Sequence, residues 1–291
     1  MEDLKLSERF ALMGLNGKES EHRNTAKQSV LRALSVALYL EENYDNLTNT
    51  WNFDTVGIKK AIKNSKMKVV EQQIVISLEN KNLIGKVKSL LGCDLYYDKN
   101  IKIKEYVSAS KEFDCQLDLI RAEFLEEGPI SEEGIILAWL LRESLCIHDY
   151  FSNLEQHKVA IRMANLCDES KLAKALYPIE IRSVWGTMVG GYLRMKSHAA
   201  STEIGKGLNF IFPFLERNQS IFIDTEKYFA NAQMRLQNVL DRVLSQGHTC
   251  EVLSTGDVPV VRIDNTKYEL VPEAILVKIP IHGVRLRRYN Y

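Results

Sequence analysis

The hydrophobic pattern of this chain changes period along its length, and that change limits its possible folds more than any other feature. Up to about residue 185 the apolar residues recur at helical spacing. "SVLRALSVALYLEE", residues 29–42, sets Leu31, Leu34 and Leu38 on one stripe. Beyond about Ser220 an amphipathic helix is expected from Asp224 or Thr225 to Ser245, stopped by Gly247. Short strand-like segments follow: "CEVLS", "PVVRI", "KYELV", "AILVK" and "GVRLRRY". Thr255-Gly256-Asp257, Asp264-Asn265 and Pro280 to Gly283 separate them as turns. Between the two regimes, residues 186–218 are rich in glycine and small side chains and read as a connector. The expected fold is mainly α, a helical bundle with a short β-hairpin over residues 1–185. A small α+β domain follows over 219–291, a helix and then antiparallel strands.

Within the first part, Leu6 to Leu15 reads as a short helix and "NGKESEHRNTAKQ", residues 16–28, as a polar loop. "VGIKKAIKNSKMKVV", residues 56–70, puts Ile58, Ile62 and Val69 on one face. Lys59, Lys60, Lys63, Lys66 and Lys68 lie elsewhere, with no acid among them. "EQQIVISLENKNLI" continues as helix, and a hairpin is expected around Asp98-Lys99-Asn100. A helix over Asp114–Glu127 ends at Gly128-Pro129, and Ser131 can cap the next.

Composition narrows the function. Lysine plus arginine and aspartate plus glutamate both number 38, a formal net charge of zero. That argues against a protein that coats nucleic acid. The five cysteines are scattered and form no CxxC, so neither a zinc ribbon nor a redox dithiol is indicated and a reducing cytoplasm is expected. No signal peptide is expected from "MEDLKLSERFALMGLNGKES", and no apolar run approaches the roughly 20 residues of a transmembrane helix.

The stretch richest in reactive side chains is "PISEEGIILAWLLRESLCIHDYFSNLEQHK", residues 129–158. On one helix Cys146 and His148 would point about 200° apart, and His157 would lie about 13 Å beyond His148, so they cannot share a metal. Ile136, Leu140, Ile147, Phe151 and Leu154 trace an apolar side instead, and the stretch reads as a buried central helix with Cys146 as packing. Nucleotide and hydrolase motifs fail: "ASTEIGKGL" lacks the glycine and hydroxyl residue of a phosphate loop, "GTMVGG" has the wrong spacing, and "SASK" lacks its partner motifs. No catalytic residue, metal site or cofactor is named. One alternative reading is an enzyme whose site lies between the two parts, around Arg182, Trp185, His198 and Glu203.

Three segments resemble the GPP34 (Golgi phosphoprotein 3-like) family. "LKLSERFALMGLNGKES" is similar to its opening helix and polar loop, "SVLRALSVALYLEENY" to its second helix, and "RAEFLEEGPISEEGIILAWLLRESLCIHDYF" to its later core segment. The likeness covers roughly residues 4–165. It implies a mostly helical, non-catalytic fold that attaches peripherally to membranes through a phosphorylated inositol lipid. Eukaryotic members hold the headgroup with a tryptophan and an arginine near the first loop and two arginines on a later helix. Here the loop offers Lys18, His22, Arg23 and Lys27 without a tryptophan, and the later helix offers Lys66 and Lys68, point charges in place of guanidinium forks.

The resulting expectation is a non-enzymatic, cytoplasmic, peripheral protein. Arg23, Lys27, Lys66 and Lys68 would converge on one outer face and bind anionic lipid headgroups. The alternative is a protein-interaction or homo-oligomerisation module, in which Arg262, Arg285 and Arg287 of the C-terminal part dock an acidic partner or a second copy.

Overall fold

The computed structural model describes residues 4–21, 24–45, 47–48, 50–63, 66–96, 103–181, 220–225, 231–276 and 280–288. Its architecture is a mixed α+β arrangement with the helices first. The expected connector, 186–218, lies outside the described residues, as do Arg182, Trp185, His198 and Glu203.

The helical body is built around α1 (Leu6–Leu15), in which Phe10, Ala11, Leu12, Met13 and Leu15 have no exposed surface. Glycine at position 14 lets α2 (Thr25–Glu42) come close, since a Cβ there would meet Val30 Cγ1 at 2.9 Å. A small hairpin, β1 (Tyr44–Asp45) with β2 (Thr50–Trp51), leads to α3 (Thr55–Lys63) and α4 (Met67–Asn80). The expected continuous helix from 56 to 84 is therefore two helices. The second stops at Asn80, where Asn82 takes a left-handed φ of 55°, and "IGKVK" becomes strand β3 (Ile84–Lys88). This strand pairs antiparallel with β4 (Lys104–Ser108). The hairpin is thus wider than the expected turn at 98–100, which lies outside the described residues.

After β4 come α5 (Ser110–Leu125) and α6 (Glu132–Glu143). Ser131 caps α6 as expected, its Oγ accepting from the Gly134 amide at 2.9 Å. Residues 129–158 do not form one helix. The chain turns at Leu145, a non-glycine residue with φ of 67°, makes a single turn α7 (Ile147–Tyr150), and restarts as α8 (Asn153–Glu169). A capping box between Ser152 and Glu155 fixes that restart, and α9 (Lys171–Leu176) follows. The reading of this stretch as core holds for α6, where Ile135 to Leu141 are all buried, Trp139 completely, and for Cys146 and Phe151. Leu154, placed on the same apolar side, is exposed.

The C-terminal part is a five-stranded antiparallel sheet in the order β5-β9-β8-β7-β6, with helix α10 (Ala232–Ser245) packed on it. Strands β5 (Ser220–Asp224), β6 (Cys250–Ser254), β7 (Val260–Ile263), β8 (Thr266–Leu276) and β9 (Pro280–Arg288) form it. Asp224, one of the two expected helix starts, closes strand β5 instead, and α10 begins at the Asn231 cap. "KYELV" and "AILVK" fall on one long strand, β8, despite Pro272. Strand β7 pairs with β8 only up to Glu269, so Pro272 sits where the ladder to that neighbour has ended and no donor is missed. Asp264 and Asn265, at φ of 46° and 67°, make the two-residue β7–β8 turn that their identities predict.

The body and the sheet have separate hydrophobic cores, and the second is completed from the first part of the chain. A 3₁₀ turn in the β3–β4 connection, Leu90–Cys93, places Leu90, Leu91 and Cys93 among Ile221, Val239, Val243 and Leu286. Polar contacts close the joint. Asn16, at the end of α1, donates to Asp264 O at 3.2 Å, and Asn265 donates to Ser108 O at 2.7 Å.

Deeper in the same joint, Arg288 and Lys18 both reach Asp149, at 2.8 and 3.3 Å. Burial works against the Asp149 carboxylate, but Arg288 and then Lys18 outweigh it and hold the carboxyl below its usual value. A depressed carboxyl stabilises the fold above its unfolded pKa and loses that contribution as pH falls through the folded value. Asp149→Asn therefore destabilises the protein by about 3 kcal/mol at pH 7, because two part-buried cations lose their counter-charge. Urea unfolding of the variant and the parent at a series of pH values checks this, and the difference should shrink below about pH 4.

Candidate functional site

A run of exposed charge of one sign lies along α3 and the start of α4. Lys59, Lys60 and Lys63 are exposed, and so are Lys66 and Lys68. At 100° per residue, Val56, Lys59, Lys60 and Lys63 fall within one strip about 100° wide. The opposite side of α3 is anchored by Ile58, which is fully buried, and by Ile62. None of the five lysines makes an ion pair among the described residues. Lys66 stands at the N-cap of α4 without a side-chain cap bond, and the first turn of that helix has no acid. The positive end of the helix dipole thus adds to the lysines instead of offsetting them. Exposed aliphatic groups accompany the charge: Val56 at 74%, Val69 at 53% and, in the β1–β2 hairpin just before α3, Leu47 at 96% exposure.

Of the four residues expected to converge, Lys66 and Lys68 belong to this surface and Arg23 lies outside the described residues. Lys27 faces inward, which corrects the expected outer position. Only 1% exposed, its Nζ sits 2.6 Å from Glu71 Oε1 on α4 and donates to Ser20 O at 2.9 Å. Tyr106 of β4 donates to the same carboxylate oxygen at 2.8 Å, and its ring centroid lies 5.6 Å from the ammonium. Burial, and then the Glu71 carboxylate, push the Tyr106 phenol well above its ordinary range. The physical reason for Lys27's position is that α2 begins at Thr25, inside the segment expected to be loop. Lys27 therefore lies in the first helical turn, with its amide donating to the Asn24 cap at 2.8 Å.

The three C-terminal arginines are divided in the same way. Arg262 makes a two-pronged ion pair with Asp114 of α5, so it joins the sheet to the helical body and is not presented to a partner. Arg285 is held by Glu273 on the neighbouring strand and lies over the Phe222 ring at 5.7 Å. Arg287 alone of the three is exposed.

Burial pushes Cys93 up to about 12 and Cys250 up to about 11, and raises Cys146. No group of three or more histidine, cysteine, aspartate or glutamate side chains among the described residues is arranged to hold a metal ion. Ser108, the first residue of "SASK", donates its hydroxyl to Leu12 O at 2.7 Å and acts as a packing residue.

The sequence carried the lysine cluster openly, through the absence of any acid between Asp54 and Glu71. It did not single out Val56 or Leu47, because an aliphatic residue in a helix or hairpin is ordinarily assigned to the core. Among the described residues no helix is long and apolar enough to cross a membrane. Comparison with known proteins found no matching family model, no matching curated protein and no matching solved structure.

Proposed function

We propose that this protein is a non-enzymatic peripheral component that docks on anionic lipid surfaces through the α3–α4 face. The observation that carries this reading is the set of five exposed lysines, unpaired among the described residues, accompanied by exposed Val56, Val69 and Leu47. A face of one charge sign with aliphatic side chains suits the boundary between headgroups and acyl chains. Each lysine near such a surface contributes about 1 kcal/mol. The resemblance of residues 4–165 to the GPP34 family supports the same reading, with the anion held by Lys66 and Lys68 together with the α3 lysines and not by Lys27.

Vesicle co-sedimentation tests it. Binding is expected to vesicles that contain phosphatidylserine or a phosphoinositide, to be absent with phosphatidylcholine alone, and to weaken as salt shortens the Debye length from about 10 Å at 0.1 M to about 3 Å at 1 M. Equal binding to neutral and anionic vesicles would overturn the reading.

A further inference from the structure

A second surface feature lies on α8 and carries no part of the lysine face. Leu154, His157, Lys158, Ile161, Asn165 and Asp168 all fall within about 100° on this helix and are all exposed, Leu154 at 69% and Ile161 at 50%. The opposite side, Val159, Met163 and Leu166, is buried in the helical body. Beside the exposed strip runs a groove of about 530 Å³ between α8 and the loop that follows α5. Arg162 fixes the groove wall by donating to the carbonyl oxygens of Glu126 and Gly128.

The charges on this strip are ordered along the helix. Its N-terminal half carries His157 and Lys158, and its C-terminal half carries Asp168 and Glu169. None of these four makes an ion pair among the described residues. We infer that the α8 face is a homodimer interface, in which the α8 helices of two copies pack antiparallel about a two-fold axis level with residue 163.

In that register Lys158 of each copy faces Glu169 of the other, on one side of the seam, and His157 faces Asp168 on the other side. Ile161 faces Asn165 next to the centre. Lys158 and Glu169 are about 16 Å apart along one helix, so they cannot neutralise each other within a copy, and a two-fold axis brings them together twice. Parallel packing would set Lys158 against Lys158 and Asp168 against Asp168. A second copy fits this strip better than an anionic membrane, because its C-terminal half is acidic. Such charge order selects partner and register more than it adds affinity.

Charge reversal in the full-length chain tests the proposal by sedimentation analysis. The unmodified protein is expected to show a reversible monomer–dimer equilibrium in the micromolar range. Lys158→Glu or Glu169→Lys alone converts two attractions into two repulsions and should raise the dimer dissociation constant about 10-fold or more. The double variant Lys158→Glu, Glu169→Lys restores both pairs with their signs exchanged and should return the constant to within about threefold of the original. A protein that stays monomeric across that range, single variants that dimerise unchanged, or a double variant as weak as the singles would each overturn the proposal.

Discussion

Replacing Glu71 by glutamine lowers the free energy of unfolding by about 3 kcal/mol, one of the largest effects expected of any single substitution in this protein. The reason lies in what remains. Glutamine keeps an oxygen for the Tyr106 hydroxyl, which now donates to Glu71 Oε1 at 2.8 Å. It removes the charge paired with Lys27 among the described residues, leaving a 1% exposed side chain with the Ser20 carbonyl and the Tyr106 ring. A buried cation without its counter-ion loses far more than a surface pair contributes. Removing both charges should be much milder. Lys27→Met combined with Glu71→Gln leaves no orphaned ion, fills similar volume, and is expected to recover most of the loss. Chemical denaturation of the two single variants and the double closes a cycle whose coupling energy reports the pair directly. A Glu71→Gln variant as stable as the parent would show that Lys27 finds water.

This pair also marks where sequence reading reached its limit. The helix α1, the Leu31 and Leu34 stripe of α2, the burial of α6, the Ser131 cap, the Gly247 stop and the Asp264-Asn265 turn all follow from local rules, and the structure contains each of them. Local rules failed where tertiary contacts overrode them. "IGKVK" reads as the tail of a helix until β4 is available to pair with it. "SIFID" becomes a strand because β9 lies beside it, close enough that a Cβ on Gly283 would stand 2.4 Å from Ile223 O. Lys27 looked like one more surface cation because its partner lies 44 positions further along the chain, and neither residue alone announces burial. The opposite error applied to Val69, which periodicity set on one face with Ile58 and Ile62 and which the fold leaves 53% exposed. Half of the candidate site was thus legible as a run of lysines. The apolar half required knowledge of which helix faces were already covered.

The second large effect concerns the lysine face itself. Lys59→Glu, Lys60→Glu and Lys63→Glu together remove three attractions to an anionic bilayer, about 1 kcal/mol each, and replace them with repulsions. The expected loss of vesicle affinity is therefore at least about 100-fold. The fold should be indifferent, because all three side chains are exposed and α3 is anchored through Ile58 on its other side. Substituting Val56 by serine, with the lysines intact, should produce a smaller loss that salt does not change, since it removes apolar contact and leaves the charge.

The most direct measurement is the partition coefficient of the triple lysine variant onto phosphatidylserine-containing vesicles, read beside that of the parent protein at low salt. Electrostatic docking through α3 predicts strong, salt-sensitive binding by the parent and a drop of two orders of magnitude or more in the variant. Equal partitioning of the two proteins would contradict it.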